Sequence, residues 1–283
     1  MQFSIRLKER RPSEYLVKAL NTVALLLIAA VLAGCGTLPN GRGWGQDATL
    51  FPGWKRVREA AVNAAVRPET WIPAAGALVL QVDDMDTEIS EWATDAMPVF
   101  GSADDAGRAS DRLSQFGHGL YLLTALSTPS GDEGTVWANN KLKGIGVGLA
   151  AMAVSYGTTD ALKGATGRTR PDGSDRRSFP SCHASTTAVA TMLASQNVEH
   201  LRLPAWGKTS LHVGLAALPY ATGWARVEAN KHYPSDILVG VALGNFFGAF
   251  FTDAFLGIDS TVSIAVTVEP SNQALVVGLR WTF

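Results

Sequence analysis

Three short stretches of the chain gather side chains that hold anions or move protons. The first begins at Lys163 and runs into a polar loop holding Arg168, Arg170, Arg176 and Arg177, with Pro171 directly after Arg170. Lys163 reads as the end of a helix that Gly164 can cap. Arginine offers a planar fork of donors suited to phosphate, and lysine a compact charge. Taken alone, basic residues at a helix end equally complement its dipole. The second stretch is Pro180-Ser181-Cys182-His183. Ser181 reads as an N-cap with a helix behind it, and a helix N-terminus presents unpaired N–H groups to an anion. His183 in that first turn can protonate a departing alkoxide; taken alone, Ser181 is equally a structural cap and His183 a surface histidine. The third stretch holds Arg226, His232 and Asp236. Four residues separate His232 from Asp236, so they share a face if helical geometry reaches back to His232. A carboxylate on one ring nitrogen would fix the tautomer and leave the other nitrogen as a nucleophile. The plainer alternative has Asp236 capping the helix beside an idle His232.

In order and spacing, the three stretches resemble the signature of the type 2 phosphatidic acid phosphatase superfamily, which also holds bacterial acid phosphatases and vanadium haloperoxidases. Lys, six residues, Arg-Pro is matched in full by Lys163, Arg170 and Pro171. Pro-Ser-Gly-His is matched except that Cys182 stands for Gly. Ser-Arg, five residues, His, three residues, Asp is matched by Arg226, His232 and Asp236, with Ala225 for Ser. The resemblance spans residues 163–236 and implies a helical bundle of the acid phosphatase/vanadium haloperoxidase type.

It also implies roles. Lys163, Arg170 and Arg226, with Ser181, Cys182 and helix N–H groups, would hold phosphate. His232 would form a phosphohistidine, Asp236 would orient it, and His183 would serve as acid and then base. No metal or other cofactor is expected, and vanadate would bind as a phosphate analogue. If the Gly position requires positive φ, Cys182 costs about 1 kcal/mol there. Two alternatives remain: a vanadium-dependent haloperoxidase using the same cradle, and a non-catalytic outer-membrane structural lipoprotein.

The elements that must position these residues read as mostly α-helical. Apolar periodicity predicts helices near 57–66, 72–83, 86–97, 109–127, 136–163, 184–198, 208–224 and 236–256. Gly146, Gly148, Ala150, Ala151 and Ala153 crowd one of them, which suits close helix packing in a compact bundle or in a membrane. The apolar run 237–251 falls short of the ~20 residues a membrane span needs, which favours a globular bundle at a membrane surface. Residues 262–268 and 275–283 alternate apolar and polar about Pro270-Ser271-Asn272-Gln273, predicting a C-terminal β-hairpin over 259–283. The terminal Phe283 resembles the last residue of outer-membrane barrel strands.

The first 34 residues read as an address. Arg6, Lys8, Arg10, Arg11 and Lys18 precede an apolar run over 23–32, which ends in Leu32-Ala33-Gly34-Cys35. This is the layout of a secretory signal, and its last four residues resemble the bacterial lipoprotein signal, with Cys35 as the lipidated residue. Gly36 after the cysteine leans toward the outer membrane. The expected organisation is a signal peptide at 1–34, a Gly- and Pro-rich tether at 35–70, a helical phosphatase domain at 71–258 and the hairpin tail. The protein would then be lipid-anchored in a bacterial envelope and face the periplasm.

Composition narrows the classes further. The 283-residue chain is 47% hydrophobic and 17% charged, with a net charge of −1. Losing residues 1–34 removes five Lys/Arg and two Asp/Glu, leaving 19 and 23, a net charge near −4. That argues against a nucleic-acid partner and gives the basic cluster at 163–177 a local purpose. The partners expected are a phosphoester substrate, in particular a lipid phosphate, and the membrane through Cys35. The aromatic residues Trp71, Trp92, Tyr121, Trp137 and Trp224 suit either a lipid cleft or a core.

Overall fold

The computed structural model describes residues 33–257, with Thr22, Ala30 and the backbone of 262–269 and 274–281. The described domain is mostly helical. Its first helices are α1 (Trp54–Val66) and α2 (Pro68–Val79), split by the extended Arg67. Pro68 occupies the first turn of α2, where its fixed φ is preset for a helix. The helix expected over 72–83 therefore starts and ends four residues early. Asp83 and Asp84 take left-handed φ of 50° and 57° and break the chain ahead of α3 (Met85–Ala96). α4 (Ala103–Ser127) starts at Ser102, whose Oγ accepts the Asp105 N–H at 3.1 Å.

α5 (Gly134–Thr166) does not stop at Gly164. It runs on to Gly167, whose left-handed φ of 54° lets its N–H reach the Lys163 carbonyl at 3.2 Å. Next come α6 (Cys182–Glu199), α7 (Ala205–Glu228) and α8 (Pro234–Phe251), the last continued by a π-turn at Thr252–Leu256. α7 extends past the expected 224, so Arg226 sits in its last turn.

α6 is the central helix, packed against α4, α5, α7 and α8. Its contact with α8 rests on Gly240, Gly244 and Gly248. A side chain at Gly240 would meet the Ser181 carbonyl at 2.7 Å, one at Gly244 the Ser185 carbonyl at 2.3 Å, and one at Gly248 the Met192 side chain at 2.7 Å. The contacts advance along both helices together, so α6 and α8 run parallel and bring their N-termini to one end of the bundle. On α5 the inward stripe is Gly144, Gly148, Ala151, Ser155, Thr159 and Lys163, while Gly146, Ala150 and Ala153 of the expected cluster face outward. Ser155 and Thr159 meet the Ser185 hydroxyl at 2.7 and 3.1 Å, tying α5 to α6 one turn above the site.

The stretch expected as a tether is docked in its first part. Trp44 is 1% exposed and packs on Gly144, with the Lys141 ammonium 5.2 Å from its ring centroid. Gly43 and Gly45 lie flat against the Ser130 and Asn140 carbonyls, where any side chain would clash. α1 and the first three residues of α2 fill the remainder. The expected hairpin falls largely outside the described residues; only the backbone of Val262–Glu269 and Ala274–Trp281 is given, as two antiparallel strands. Among the described residues one stretch, Pro234–Leu256, is long and apolar enough to cross a membrane, and 67% of its apolar window is buried inside the bundle.

Candidate active site

The site forms where the N-termini of α6 and α8 meet the C-terminal ends of α5 and α7. Lys163, in the last turn of α5, is buried, and its ammonium donates to the carbonyls of Arg177 (2.5 Å) and Ser178 (3.3 Å). An ammonium carries three donors, so one remains for an anion. Burial first, and Arg170 second, hold its pKa below the ordinary lysine value. Arg170 donates from Nε to Asp175 (2.7 Å) and from Nη1 to the Lys231 carbonyl (3.1 Å), and Nη1 lies 3.4 Å from His232 Nε2. Arg226 reaches in from α7. Its Nε is buried with no hydrogen-bond partner among the described residues. Burial, with Arg170 nearby, pulls its pKa down, although a guanidinium stays charged.

Ser181 is the N-cap of α6, its Oγ 3.4 Å from the Ala184 N–H, and its own N–H donates to the Asp236 carbonyl at 3.0 Å. That bond ties the start of α6 directly to the start of α8. Cys182, where the family pattern has Gly, lies outside the residues of positive φ, so the anticipated strain does not arise. Burial pushes its thiol up, against the opposing effect of Lys163. Ala225 is wholly buried, and it leaves no hydroxyl there in need of a partner. His183 is part-buried and its Nε2 lies 2.9 Å from Asp111 Oδ1 on α4. Burial and then Arg226 hold its pKa below 6.5, with Asp111 opposing.

His232 is 2% exposed. Helical geometry does not reach back to it, because α8 begins at Pro234 with Tyr233 as N-cap. The loop after α7 places it instead, closed by the Lys231 N–H on the Arg226 carbonyl at 3.1 Å. Its Nδ1 faces Asp236 Oδ2 at 3.6 Å, an ion-pair distance and too long for a hydrogen bond. Burial lowers its pKa to about 4, with Asp236 opposing and the Lys163 and Arg226 charges adding to the fall. Asp236 is occupied elsewhere. Its Oδ2 accepts the Tyr233 N–H at 2.9 Å and the Ser178 hydroxyl, and its Oδ1 accepts Arg168 Nη1 at 2.8 Å. Burial works against its ionisation, but His232, Arg168 and Ser178 together hold its pKa below the usual carboxylate value.

Residues 147–257 match the PAP2 superfamily. The PAP2 match contains the whole Lys163–Asp236 constellation. A lipid A 1-phosphatase of Porphyromonas gingivalis is 36% identical over 99 residues, covering 34% of this chain and 20% of that protein. The chain therefore matches only a fifth of that relative's length. No solved structure matches.

The structure brings Lys163, Arg170, Ser181, Cys182, His183, Arg226, His232 and Asp236 of the PAP2 pattern to one place. Cys35 is not among them; it is exposed and lies near Lys141, toward the start of α5. Three contributors went unnoticed in the sequence, Asp86, Asp111 and Ser178, and Arg168 was named there only as one of the loop arginines. Arg168 carried a signal, two residues before Arg170 in the same loop. Asp86 and Asp111 carried none, because 82 and 72 residues separate them from Arg168 and His183. Of the other histidines, His118 Nδ1 lies 2.7 Å from the Ser114 carbonyl and His212 Nδ1 lies 2.7 Å from Ser195 Oγ.

Proposed function

We propose that this PAP2 chain is a phosphoric ester hydrolase that works without a metal, takes a lipid phosphate, and passes through a phosphohistidine at His232. The observation that carries the reading is the unmatched positive charge around a neutral imidazole. Lys163 has a donor to spare, and Arg226 keeps a buried, unpartnered Nε. Both act on His232 electrostatically. The N-termini of α6 and α8 add their dipoles at the same end. A desolvated cluster of this kind needs an anion, and a phosphoryl group fits its fork geometry.

In the proposed reaction the Nε2 lone pair of His232 attacks phosphorus as the P–O bond to the leaving group breaks. His183 gives its proton to the departing oxygen. Water then attacks the phosphohistidine, His183 takes a proton back, and phosphate leaves with His232 restored. Asp236 closes on Nδ1 as the ring gains positive charge. The three cations stabilise charge on the equatorial oxygens beside the buried Lys163, Ser181 and His232. Uncatalysed phosphomonoester hydrolysis is slow enough to demand up to ~10²¹-fold acceleration.

The lipid part of the reading draws on two observations. The relative named above is a lipid A 1-phosphatase. An apolar cleft of about 470 Å³, lined in part by Phe100, Tyr220, Trp224, Pro234 and Leu238, opens two residues along the chain from His232. Trp92 stacks obliquely on Trp224 at 6.1 Å, whereas Tyr121 lies in the core.

Envelope location belongs to the same proposal: a signal peptide at 1–34, a lipid on exposed Cys35, the periplasmic side, the outer membrane, and a hairpin tail at 259–283. In the uncut chain the Gly34 carbonyl accepts Trp137 Nε1 and the Ser130 N–H, each at 3.0 Å. Cleavage would hand both donors to water.

The test is phosphate release from a panel of lipid and soluble phosphoesters. The reading expects release that survives EDTA, stops with vanadate, and is absent from His232→Ala. Release abolished by EDTA would contradict it.

A further inference from the structure

We propose that Asp86, on α3, is a positioning residue for the His232–Asp236 pair, acting through Arg168. The proposal rests on the reading of His232 as the nucleophile. Asp86 lies outside residues 147–257 matched by the family and is 3% exposed. Its Oδ2 accepts Arg168 Nη2 at 2.7 Å and the Ser235 hydroxyl at 2.5 Å, and its Oδ1 accepts the Ser235 N–H at 2.8 Å. Arg168 in turn donates from Nη1 to Asp236 Oδ1 and to Ser235 Oγ, both at 2.8 Å, and its guanidinium lies 4.0 Å over the Tyr233 ring. Asp86, Arg168, Asp236 and Ser235 thus close a ring around the first turn of α8.

The charge count explains why two carboxylates share one guanidinium. With both ionised, the group carries a net negative charge beside a neutral imidazole. When His232 accepts the phosphoryl group its ring becomes cationic, and that surplus charge stabilises it. Without the Asp86 charge, Arg168 would belong to Asp236 alone, and the carboxylate would be a poorer acceptor for Nδ1. Asp236 already stands 3.6 Å from Nδ1, so its balance between Arg168 and His232 decides whether that bond closes. Asp86 also receives a backbone N–H of α8's first turn, which fixes the turn that carries Asp236. Asp86 bonds to Arg168 and Ser235, not to His232, so it acts through its neighbours.

The test uses the full chain with Asp86→Asn, which keeps shape and removes charge, beside Asp86→Glu and Arg168→Lys. Turnover is measured on p-nitrophenyl phosphate, cradle integrity by vanadate inhibition, folding by Tm, and the His232 ring state by ¹⁵N NMR at neutral pH. Asp86→Asn is expected to lower kcat about tenfold or more, with KM and the vanadate constant within about threefold. It is also expected to turn a single Nδ1–H tautomer into a mixture. Asp86→Glu recovers part of the loss. Should Asp86→Asn fail to fold, Arg168→Lys carries the test, since lysine keeps the charge but cannot fork between both carboxylates. An unchanged kcat, an unchanged tautomer, or a kcat loss matched by equal loss of vanadate binding would each overturn the proposal. If the wild type releases no phosphate from any ester, the phosphatase reading fails and the tautomer measurement alone decides the role of Asp86.

Discussion

Burial keeps the His232 ring neutral down to about pH 4, while His183, also pushed below 6.5 by burial, must be protonated to donate. The two requirements overlap only in mild acid. The pH dependence of kcat/KM reports both groups in the unliganded protein. It should rise through about pH 4 and fall before pH 6.5, and His183→Gln should remove the upper limb. A plateau reaching pH 8 would contradict the assignment. The same shift bears on stability. A histidine whose folded pKa is depressed stabilises the fold fully above its unfolded value of 6.5 and progressively less as pH falls toward 4. The pH that favours turnover is thus one at which His232 has begun to cost stability.

At this scale the sequence was informative, since the resemblance of three stretches to the superfamily signature singled out eight of the site residues. What it could not convey was their bonding. The i, i+4 spacing suggested a helical His232–Asp236 bond, yet Pro234 starts the helix after His232. Asp236 spends its oxygens on Tyr233, Ser178 and Arg168.

The helix pair α6 and α8 does the positioning at the next scale. Their parallel packing at Gly240, Gly244 and Gly248 puts Ser181 and Asp236 within one backbone hydrogen bond. Gly244→Val would place a Cβ 2.3 Å from the Ser185 carbonyl, a main-chain atom that cannot swing aside. Overpacking of this kind costs about 1–3 kcal/mol. The variant should therefore show a lower Tm together with reduced kcat/KM, as the two N-termini part. Gly146→Val is the control, because nothing lies within 4 Å of its Cβ. Equal effects from the two would contradict the packing account.

The helices themselves were legible from periodicity, and their ends were not. Pro68 advanced α2, and Gly167 rather than Gly164 capped α5. The first glycine inside a helical pattern does not reveal which carbonyl the chain will reach back to. The stripe Gly240-Gly244-Gly248 was hidden for a similar reason: an all-apolar helix shows no preferred face until its neighbour is known.

Across the whole molecule, the proposed anchor and the proposed site stand apart. Cys35 lies by Lys141 near the start of α5, and Lys163 lies near its end. At 1.5 Å per residue, that is roughly 33 Å along the helix. Lipidation alone therefore does not set the site against the anchoring membrane. Cys35→Ser should release the protein from membranes while leaving hydrolysis of a soluble ester within about twofold, since the helix rise separates the two. Retention in the membrane fraction would contradict anchoring at Cys35.

The linker-like look of residues 35–53, within the expected tether at 35–70, has a compositional cause. Its glycines and prolines look like a linker, yet Gly43 and Gly45 are what let Trp44 insert against α5.

The central claim is a metal-independent phosphatase with His232 as nucleophile. It is tested most directly by phosphate release in EDTA, with wild type and His232→Ala side by side on lipid and soluble esters. Turnover by the wild type and none by the variant, at equal Tm, is the predicted result. Wild-type turnover in His232→Ala would contradict the account.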